Sequence, residues 1–178
     1  MNIEEYLCKI ELIAFDFDGV FTNNQVYVTE DGKESVCCWR SDGLGLRRMK
    51  DINVKTFIVS TEENPVVIAR ANKLGIDCKQ GVDNKAAAIL QICTELGIKP
   101  EYTIFVGNDI NDIPAFTSIG FPIAVADAYS EVDPHILLRT KTPGGFGAVR
   151  EVCDMVFHTK RSLVKNKKQS KKGDLIHP

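Results

Sequence analysis

A short apolar run that leads into two aspartates constrains the fold of this chain more than any other feature. The run Leu12–Phe15 (LIAF) is followed directly by Asp16-Phe17-Asp18-Gly19. Four consecutive apolar residues are typical of a central strand in a parallel sheet that is covered on both faces. Ligands of such sheets bind outside the carboxyl ends of the strands. We therefore expect Asp16 and Asp18 at a ligand-binding edge of an α/β sheet.

The spacing of the two aspartates carries a second constraint. Side chains two residues apart on an extended strand point to the same side, so both carboxylates should face one space. Crowded carboxylates repel each other unless a cation lies between them or one of them stays protonated. Asp16 and Asp18 therefore predict a metal site, acid/base chemistry, or both.

Strand-like and helix-like segments alternate along most of the chain. After the first strand, Gln25–Val28 and Glu34–Trp39 flank a Gly-containing turn and predict a β-hairpin. The later segments are a helix around residues 44–49, a strand at 54–59, helices at 64–74 and 84–96, a strand at 102–106, a short helix, a strand at 122–125 and a last helix at 148–157. Repeated β-α-β units predict a doubly wound, Rossmann-like parallel sheet in an α/β domain.

Composition excludes several classes of protein. The chain has 178 residues, 44% of them hydrophobic and 26% charged, which is typical of one soluble globular domain. The sequence has no apolar run that approaches the length of a membrane span, and its acidic start is unlike a signal peptide. Six scattered cysteines without a Cys-x-x-Cys pair disfavour zinc and favour reduced thiols, so we expect a cytoplasmic protein with no membrane partner.

Charge is distributed unevenly along the chain. Residues 160–178 contain seven basic residues and one acid, which leaves a net charge of -8 on residues 1–159. We expect residues 1–159 to form the domain and residues 160–178 to form a basic, flexible tail. A solvated tail is favoured over a nucleic-acid-binding arm, and a segment that folds over an anion-binding active site, including that of a neighbouring subunit, is a third alternative.

Polar residues follow several predicted strands and should meet at one edge of the sheet. They are Asp16 and Asp18, the run Ser60-Thr61-Glu62, and the run 107–112 (GNDIND), with Lys85 near the start of the intervening helix. Each has an ordinary structural explanation as a helix cap, a turn residue or a surface charge. Together they supply a carboxylate nucleophile, a second carboxylate, phosphate-binding groups and oxygen ligands for Mg²⁺. This set predicts phosphoryl transfer through an aspartyl-phosphate.

These motifs resemble the four signatures of the haloacid dehalogenase superfamily. Asp16–Thr22 (DFDGVFT), Ser60, Lys85 and the run 107–112 correspond to them in order. The hairpin after the first signature, residues 40–45 (RSDGLG) and residues 144–151 (GGFGAVRE) resemble a small branch without a cap domain. Members of that branch hydrolyse 3-deoxy-octulosonate 8-phosphate or the 9-phosphates of sialic-acid-type sugars.

The resemblance implies a role for each matched residue. Asp16 would attack phosphorus and bind Mg²⁺. Asp18 would protonate the leaving sugar oxygen and then activate water, while its backbone carbonyl binds the metal. Ser60, Thr61 and Lys85 would bind the phosphoryl oxygens. The implied enzyme is a Mg²⁺-dependent sugar phosphatase.

Two residue choices distinguish branches of the family. Octulosonate phosphatases usually have Ser-Gly-Arg where this chain has Ser60-Thr61-Glu62, and the set Glu62, Arg70 and Lys73 resembles the nonulosonate members. Arg70 and Lys73 share a predicted helix face, where they would either bind a substrate carboxylate or be solvated surface charges. In the capless branch such residues reach the active site of a neighbouring subunit, so the resemblance implies a homotetramer built through the hairpin.

The proposed metal-binding turn departs from the family pattern. It usually begins Gly-Asp-Asp, whereas this chain has Gly107-Asn108-Asp109, so Asn108 would offer a neutral oxygen in place of a carboxylate, for which Asp109 or Asp112 could compensate. The same Gly-Asn sequence occurs at this turn in phosphatase-like domains of CMP-sialic acid synthetases. The alternative function is therefore a catalytically weak oligomerisation module that partners a cytidylyltransferase.

Overall fold

The computed structural model describes the backbone of residues 3–173 and the side chains of residues 3–162. The strands are β1 (Leu12–Phe15), β2 (Thr22–Val28), β3 (Glu34–Cys38), β4 (Lys55–Val59), β5 (Asp77–Lys79), β6 (Thr103–Gly107), β7 (Phe121–Ala124) and β8 (Leu138–Arg139). The helices are α1 (Ile3–Leu7), α2 (Asp42–Asp51), α3 (Val66–Leu74), α4 (Lys85–Leu96), α5 (Ile113–Ser118) and α6 (Ala148–Gly173). In this part of the chain, no helix is both long and apolar enough to cross a membrane.

Six strands form one parallel sheet in the order β5-β4-β1-β6-β7-β8. Strand β1 lies in its interior, and its last residue, Phe15, is in register with Ile58 of β4 and Val106 of β6. The order reverses at β1, because the chain runs outward through β4 in one direction and through β6 in the other. This topology confirms the predicted α/β class and places the end of β1 at the crevice where such sheets bind ligands.

The hairpin forms a separate two-stranded antiparallel sheet, in which Val26 pairs with Val36. Only the first residue of β2, Thr22, is buried, and the residues from Asn24 to Val28 are exposed. The hairpin therefore leaves the main sheet directly after the aspartate turn and presents apolar side chains outward. No cap domain interrupts the chain between residues 3 and 173.

Alternate residues of β1 supply two core layers, one on each face of the sheet. Ile13 and Phe15 belong to a layer that is completed by buried residues of α2, α3 and α6. Leu12 and Ala14 belong to a second layer, which is completed by residues of α4 and α5. This two-sided burial is the reason that β1 is continuously apolar.

Local signals explain where several elements begin and end. The Asn84 side chain accepts a hydrogen bond from Ala87 N at the start of α4, and Gly97 ends that helix at a φ of 67°. Gly75 ends α3 with the same φ. A residue with φ in this region is most often Gly, since a Cβ adds strain there.

The structure extends beyond the predicted elements in several places. Helix α1 and the short edge strands β5 and β8 have no counterpart in the sequence-based prediction. The last helix was expected to end at Phe157, and it continues to Gly173. Residues 160–173 of the expected flexible tail therefore have a helical backbone, while residues 174–178 lie outside the described part. The division of the chain at residue 160 stays a prediction.

Candidate active site

A buried lysine lies between two buried aspartates at the carboxyl edge of the sheet. Asp16 follows β1 directly, and Lys85 is the first residue of α4. Lys85 Nζ lies 2.8 Å from Asp16 Oδ2 and 2.7 Å from Asp112 Oδ1. All three side chains are at least nine-tenths buried. Because a buried charge without a partner is strongly unfavourable, this ion-pair group holds the end of β1 against α4 and the turn after β6.

Asp112 organises the turn that follows β6. Its Oδ2 accepts hydrogen bonds from the backbone N–H groups of Asn108 and Asp109, at 2.8 and 3.3 Å. Gly107 leaves room for this carboxylate, because a Cβ at that position would lie 2.3 Å from Asp112 Oδ2. From the sequence, Asp112 is only an alternative ligand that could compensate for Asn108 at the metal. Its structural role is to close the turn and pair with Lys85.

The turn after Asp16 brings Asp18 and Asn108 to the same edge. Gly19 has a φ of 74°, and a Cβ there would lie 2.1 Å from Asn108 Nδ2. Glycine is therefore required twice, once by the backbone conformation and once by the space that the buried Asn108 side chain occupies. Thr22 Oγ1 accepts the Gly19 N–H at 3.1 Å and fixes the turn.

The nucleophile candidate, Asp16, has a strongly perturbed acidity. Burial raises its pKa to about 7, and the charge of Asp112 acts in the same direction. The Lys85 ammonium and the Phe17 N–H, which donates to Asp16 Oδ1 at 2.7 Å, lower the pKa. The protein therefore holds excess negative charge around Asp16, which is the condition that favours a bound cation.

The acid/base candidate, Asp18, also has a raised pKa, with burial as the main cause. The next cause is the charge of Glu62, and Glu34 contributes in the same direction against the opposing effect of Lys85. Sequence reasoning attributed this effect to crowding between Asp16 and Asp18. The neighbouring charges that raise the pKa of Asp18 are instead those of two glutamates, Glu62 after β4 and Glu34 on the hairpin. Only the tertiary fold brings these residues together.

The residues after β4 are arranged around a buried serine. Ser60 is almost fully buried, and its Oγ accepts the Glu62 N–H at 3.1 Å. Glu62 Oε1 accepts the N–H groups of Glu63 and Asn64, both at 2.8 Å. Thr61, by contrast, is exposed. Ser60 and Glu62 thus have fixed positions at the edge where β1 also ends.

Arg70 and Lys73 lie apart from this group. They line a cavity of about 580 Å³ together with Arg40, Arg47 and Cys38, and none of its lining residues is acidic. Arg70 Nη2 donates to the Trp39 carbonyl at 2.8 Å, and its buried Nε has no hydrogen-bond partner. The structure therefore places these two predicted substrate-binding residues in a cationic cavity that shares no lining residue with the cavity beside Asp18.

The donors near Asp16 suit a magnesium ion. Within residues 3–162, no three His, Cys, Asp or Glu side chains are grouped so as to hold a metal ion. Mg²⁺ commonly uses only one or two carboxylates and completes its coordination with water and substrate phosphate. Asp16, the Asp18 carbonyl and the Asn108 side-chain oxygen fit that requirement. Asp109 is used differently, because its Oδ1 accepts the Ile110 N–H and caps the following 3₁₀ turn.

Comparison with known proteins identifies the family of this chain. Residues 53–143 match the haloacid dehalogenase-like hydrolase family. The chain is 35% identical over 163 residues to 3-deoxy-D-manno-octulosonate 8-phosphate phosphatase of Salmonella typhi, covering 91% of this chain and 87% of that protein. The chain belongs to the haloacid dehalogenase-like hydrolases.

Solved structures show the same relationship. The phosphatase of that name from Yersinia pestis superposes with a TM-score of 0.86 at 31% identity, covering 90% of this chain and 88% of that one. The Moraxella catarrhalis phosphatase, solved with magnesium, phosphate and KDO, has a TM-score of 0.85 at 29% identity, covering 92% and 97%. The expected family and the expected enzyme class, a phosphoric monoester hydrolase acting on a sugar phosphate, are thereby confirmed.

Proposed function

We propose that this protein is a Mg²⁺-dependent phosphatase that hydrolyses the phosphate ester of a keto-deoxy sugar acid through an aspartyl-phosphate. The observation that carries the proposal is the buried Asp16, paired with Lys85 at the switch point of the sheet. Two residues further on, Asp18 lies in surroundings that favour its protonated form. One carboxylate is therefore suited to attack phosphorus and the other to donate a proton.

The two aspartates act in sequence. Asp16 attacks phosphorus while Asp18 gives its proton to the departing sugar oxygen, which breaks the ester bond. Asp18, now ionised, takes a proton from the water that hydrolyses the acyl phosphate, and Asp16 is released. Lys85 and Ser60 bind the phosphoryl oxygens during both steps, and the neighbouring Thr61 would assist them.

The bound metal would be held by Asp16, the Asp18 carbonyl and Asn108, and Asp109 remains a candidate only if it gives up its cap of Ile110. When bound, Mg²⁺ supplies positive charge that offsets the phosphate dianion. Within the protein, Lys85 performs part of the same task, because its ammonium lies beside Asp16.

The substrate is a sugar acid of eight or nine carbons, with its carboxylate remote from the ester. The relatives from Salmonella typhi and Yersinia pestis are octulosonate 8-phosphate phosphatases, which supports an eight-carbon substrate. Glu62, Arg70 and Lys73 favour a nonulosonate 9-phosphate such as N-acetylneuraminate 9-phosphate or its deaminated analogue. The cationic cavity supplies the charge that a carboxylate requires.

We propose a homotetramer in which this cavity serves the active site of a neighbouring subunit. On the hairpin, the exposed fraction is 51–65% for Val26, Tyr27 and Val28, and 44% for Trp39. Several exposed apolar side chains on one projecting hairpin are typical of a surface that a partner covers. A small-molecule phosphatase of this kind, without a membrane-spanning helix among residues 3–173, would work in the cytoplasm.

The test is phosphate release from N-acetylneuraminate 9-phosphate, its deaminated analogue and 3-deoxy-octulosonate 8-phosphate, with and without Mg²⁺. We expect Mg²⁺-dependent release from at least one, and a loss of about a thousandfold or more in Asp16→Asn, because the nucleophile is removed. Release that needs no metal, or an Asp16→Asn variant with the wild-type rate, would contradict the proposal.

The alternative function is a catalytically weak assembly module for a cytidylyltransferase. Asn108 is the observation that favours it, since a neutral ligand weakens the attraction for Mg²⁺. This alternative predicts slow turnover and a stable complex with the cytidylyltransferase. Efficient turnover by the isolated protein contradicts it.

A further inference from the structure

A small polar cavity opens beside the acid/base residue. Its volume is about 170 Å³, and its wall includes Asp18, Glu34, Glu62 and Asn64, with Val26 and Val36 of the hairpin. In the proposed reaction, Asp18 protonates the ester oxygen of the departing sugar. The carbons next to that oxygen must therefore lie against this cavity.

Glu34 is fixed at the cavity by a contact between the hairpin and the chain before α3. Asn64 Nδ2 donates to Glu34 Oε2 at 2.9 Å, and the side chain of Glu34 is half-buried. Its other oxygen, Oε1, accepts no hydrogen bond from residues 3–162. Glu62 differs, because its Oε1 is already occupied by two backbone N–H groups.

The charge of the wall has a definite sign. None of the cavity's lining residues is Lys, Arg or His, whereas three of them are carboxylic acids. Glu34 is close enough to influence Asp18 electrostatically. An anionic group of the substrate would be repelled here, whereas hydroxyl groups can donate to a carboxylate in a charge-assisted hydrogen bond. The cavity thus suits the uncharged polyol end of a sugar.

We propose that Glu34 selects the leaving group, by accepting a hydrogen bond from a hydroxyl on a carbon adjacent to the phosphate ester. This inference rests on the proposed function and adds to it a residue on the chain's own hairpin. It also assigns opposite ends of the substrate to walls of opposite charge. The polyol end lies at Glu34, and the carboxylate lies at the cationic cavity of a neighbour.

The test compares two esters of equal chain length, hexitol 6-phosphate and n-hexyl phosphate, with Mg²⁺. The wild type should prefer the hexitol ester in kcat/KM. We expect Glu34→Gln to reduce that preference by about tenfold or more, because an amide N–H replaces the accepting oxygen. The Gln side chain can still accept from Asn64, so the hairpin contact is retained. Glu34→Ala should have at least the same effect, and Glu30→Gln, on the exposed turn of the hairpin, should have none.

Outcomes for the two proposals can be told apart. Equal losses with both esters, or an unchanged preference in both Glu34 variants, would overturn the role of Glu34 and leave the phosphatase proposal intact. A wild type that does not prefer the hexitol ester overturns it as well. If the wild type hydrolyses neither ester nor any of the sugar acid phosphates, both proposals fail.

Discussion

At the scale of single residues, the proposed metal site has little negative charge of its own. Asn108 stands where a carboxylate is usual for this turn, and its side chain is buried against Gly19. The nearby carboxylates have other partners. Asp112 is occupied by Lys85 and two N–H groups, and Asp109 caps Ile110. In the proposed site, Asp16 would therefore supply the main negative charge for the metal.

Replacement of Asn108 by Asp should strengthen metal binding. Asp and Asn have nearly the same shape, so Gly19 leaves room for either. A full negative charge should raise Mg²⁺ affinity by about tenfold or more, because the ligand then attracts the cation as a charge and not as a dipole. Isothermal titration calorimetry with Mg²⁺ measures this directly, independently of turnover.

Asn111→Asp is the matched control for that measurement, since it adds the same charge to an exposed position in the same turn. It should change Mg²⁺ affinity by less than about threefold, because exposed charges are screened. If Asn108→Asp binds no tighter than Asn111→Asp, then Asn108 does not contact the metal and its assignment is wrong.

At the scale of elements, a glycine loop supports the aspartate turn. A Cβ on Gly144 would lie 1.8 Å from the Gly19 carbonyl oxygen, and Gly145 N donates to the Val20 carbonyl at 3.0 Å. Gly144 N donates to Asp127 Oδ1, which holds the loop from its other side. The glycine-rich run 144–151, which in the sequence is only part of the family resemblance, thus has a physical reason. It allows backbone to pack on backbone directly behind Asp18.

Helices α2 and α6 are joined by a buried acid. Asp42 Oδ1 accepts the Arg150 N–H at 3.2 Å, and its Oδ2 is buried without a hydrogen-bond partner. Gly45 permits the close approach of the two helices, since a Cβ there would lie 2.9 Å from Cys153 Cβ. Burial raises the pKa of Asp42 to about 6, against the opposing effects of the Arg150 N–H and of the Arg70 and Arg150 charges.

The raised pKa of Asp42 predicts a pH-dependent stability. Between its ordinary value of 3.8 and about 6, the folded protein holds the Asp42 proton more firmly than the unfolded chain. Stability should therefore fall as the pH rises through this window. Asp42→Asn lacks the titration, so between pH 4 and pH 7 its unfolding free energy should rise relative to the wild type by up to about 3 kcal/mol.

Urea unfolding of both proteins at several pH values provides the measurement. Other titrating groups are common to the two proteins and cancel in the difference. Asp51→Asn, at the exposed end of the same helix, should follow the wild-type curve. Parallel curves for the wild type and Asp42→Asn would show that Asp42 does not titrate in this range.

At the scale of the whole molecule, sequence patterns locate the sheet edge but not every neighbour around it. The apolar run of β1 and the polar residues after β4 and β6 are local signals, and each predicted strand there was found. Strands β5 and β8 have three and two residues and lie at the edges of the sheet, where no long apolar run is needed. Glu34 approaches Asp18 only because the hairpin folds back, which no local pattern records.

The two charged regions of the molecule are the reason that we propose a site built from two subunits for a sugar acid. Lys85 provides positive charge for the phosphate at the sheet edge, while the cavity beside Asp18 is acidic. The cations that suit a carboxylate line a different cavity of the same chain. In the proposed oligomer, a substrate with both anionic ends bound would therefore require the cationic cavity of a second subunit.

Mixed oligomers test this requirement. Asp16→Asn lacks the nucleophile and Arg70→Ala lacks the carboxylate-binding cation, so each should be nearly inactive alone on a sugar acid phosphate. After the two are unfolded and refolded together in equal amounts, a site with its own Asp16 and a neighbour's Arg70 should form in about a quarter of cases, if each site uses one neighbour. Phosphate release should then recover to about that share of the wild-type rate.

As a control, a mixture of Asp16→Asn with Lys85→Ala should stay inactive, because both residues belong to one chain's site. If the Arg70→Ala mixture also stays inactive although size-exclusion chromatography shows mixed oligomers, Arg70 serves its own subunit or none.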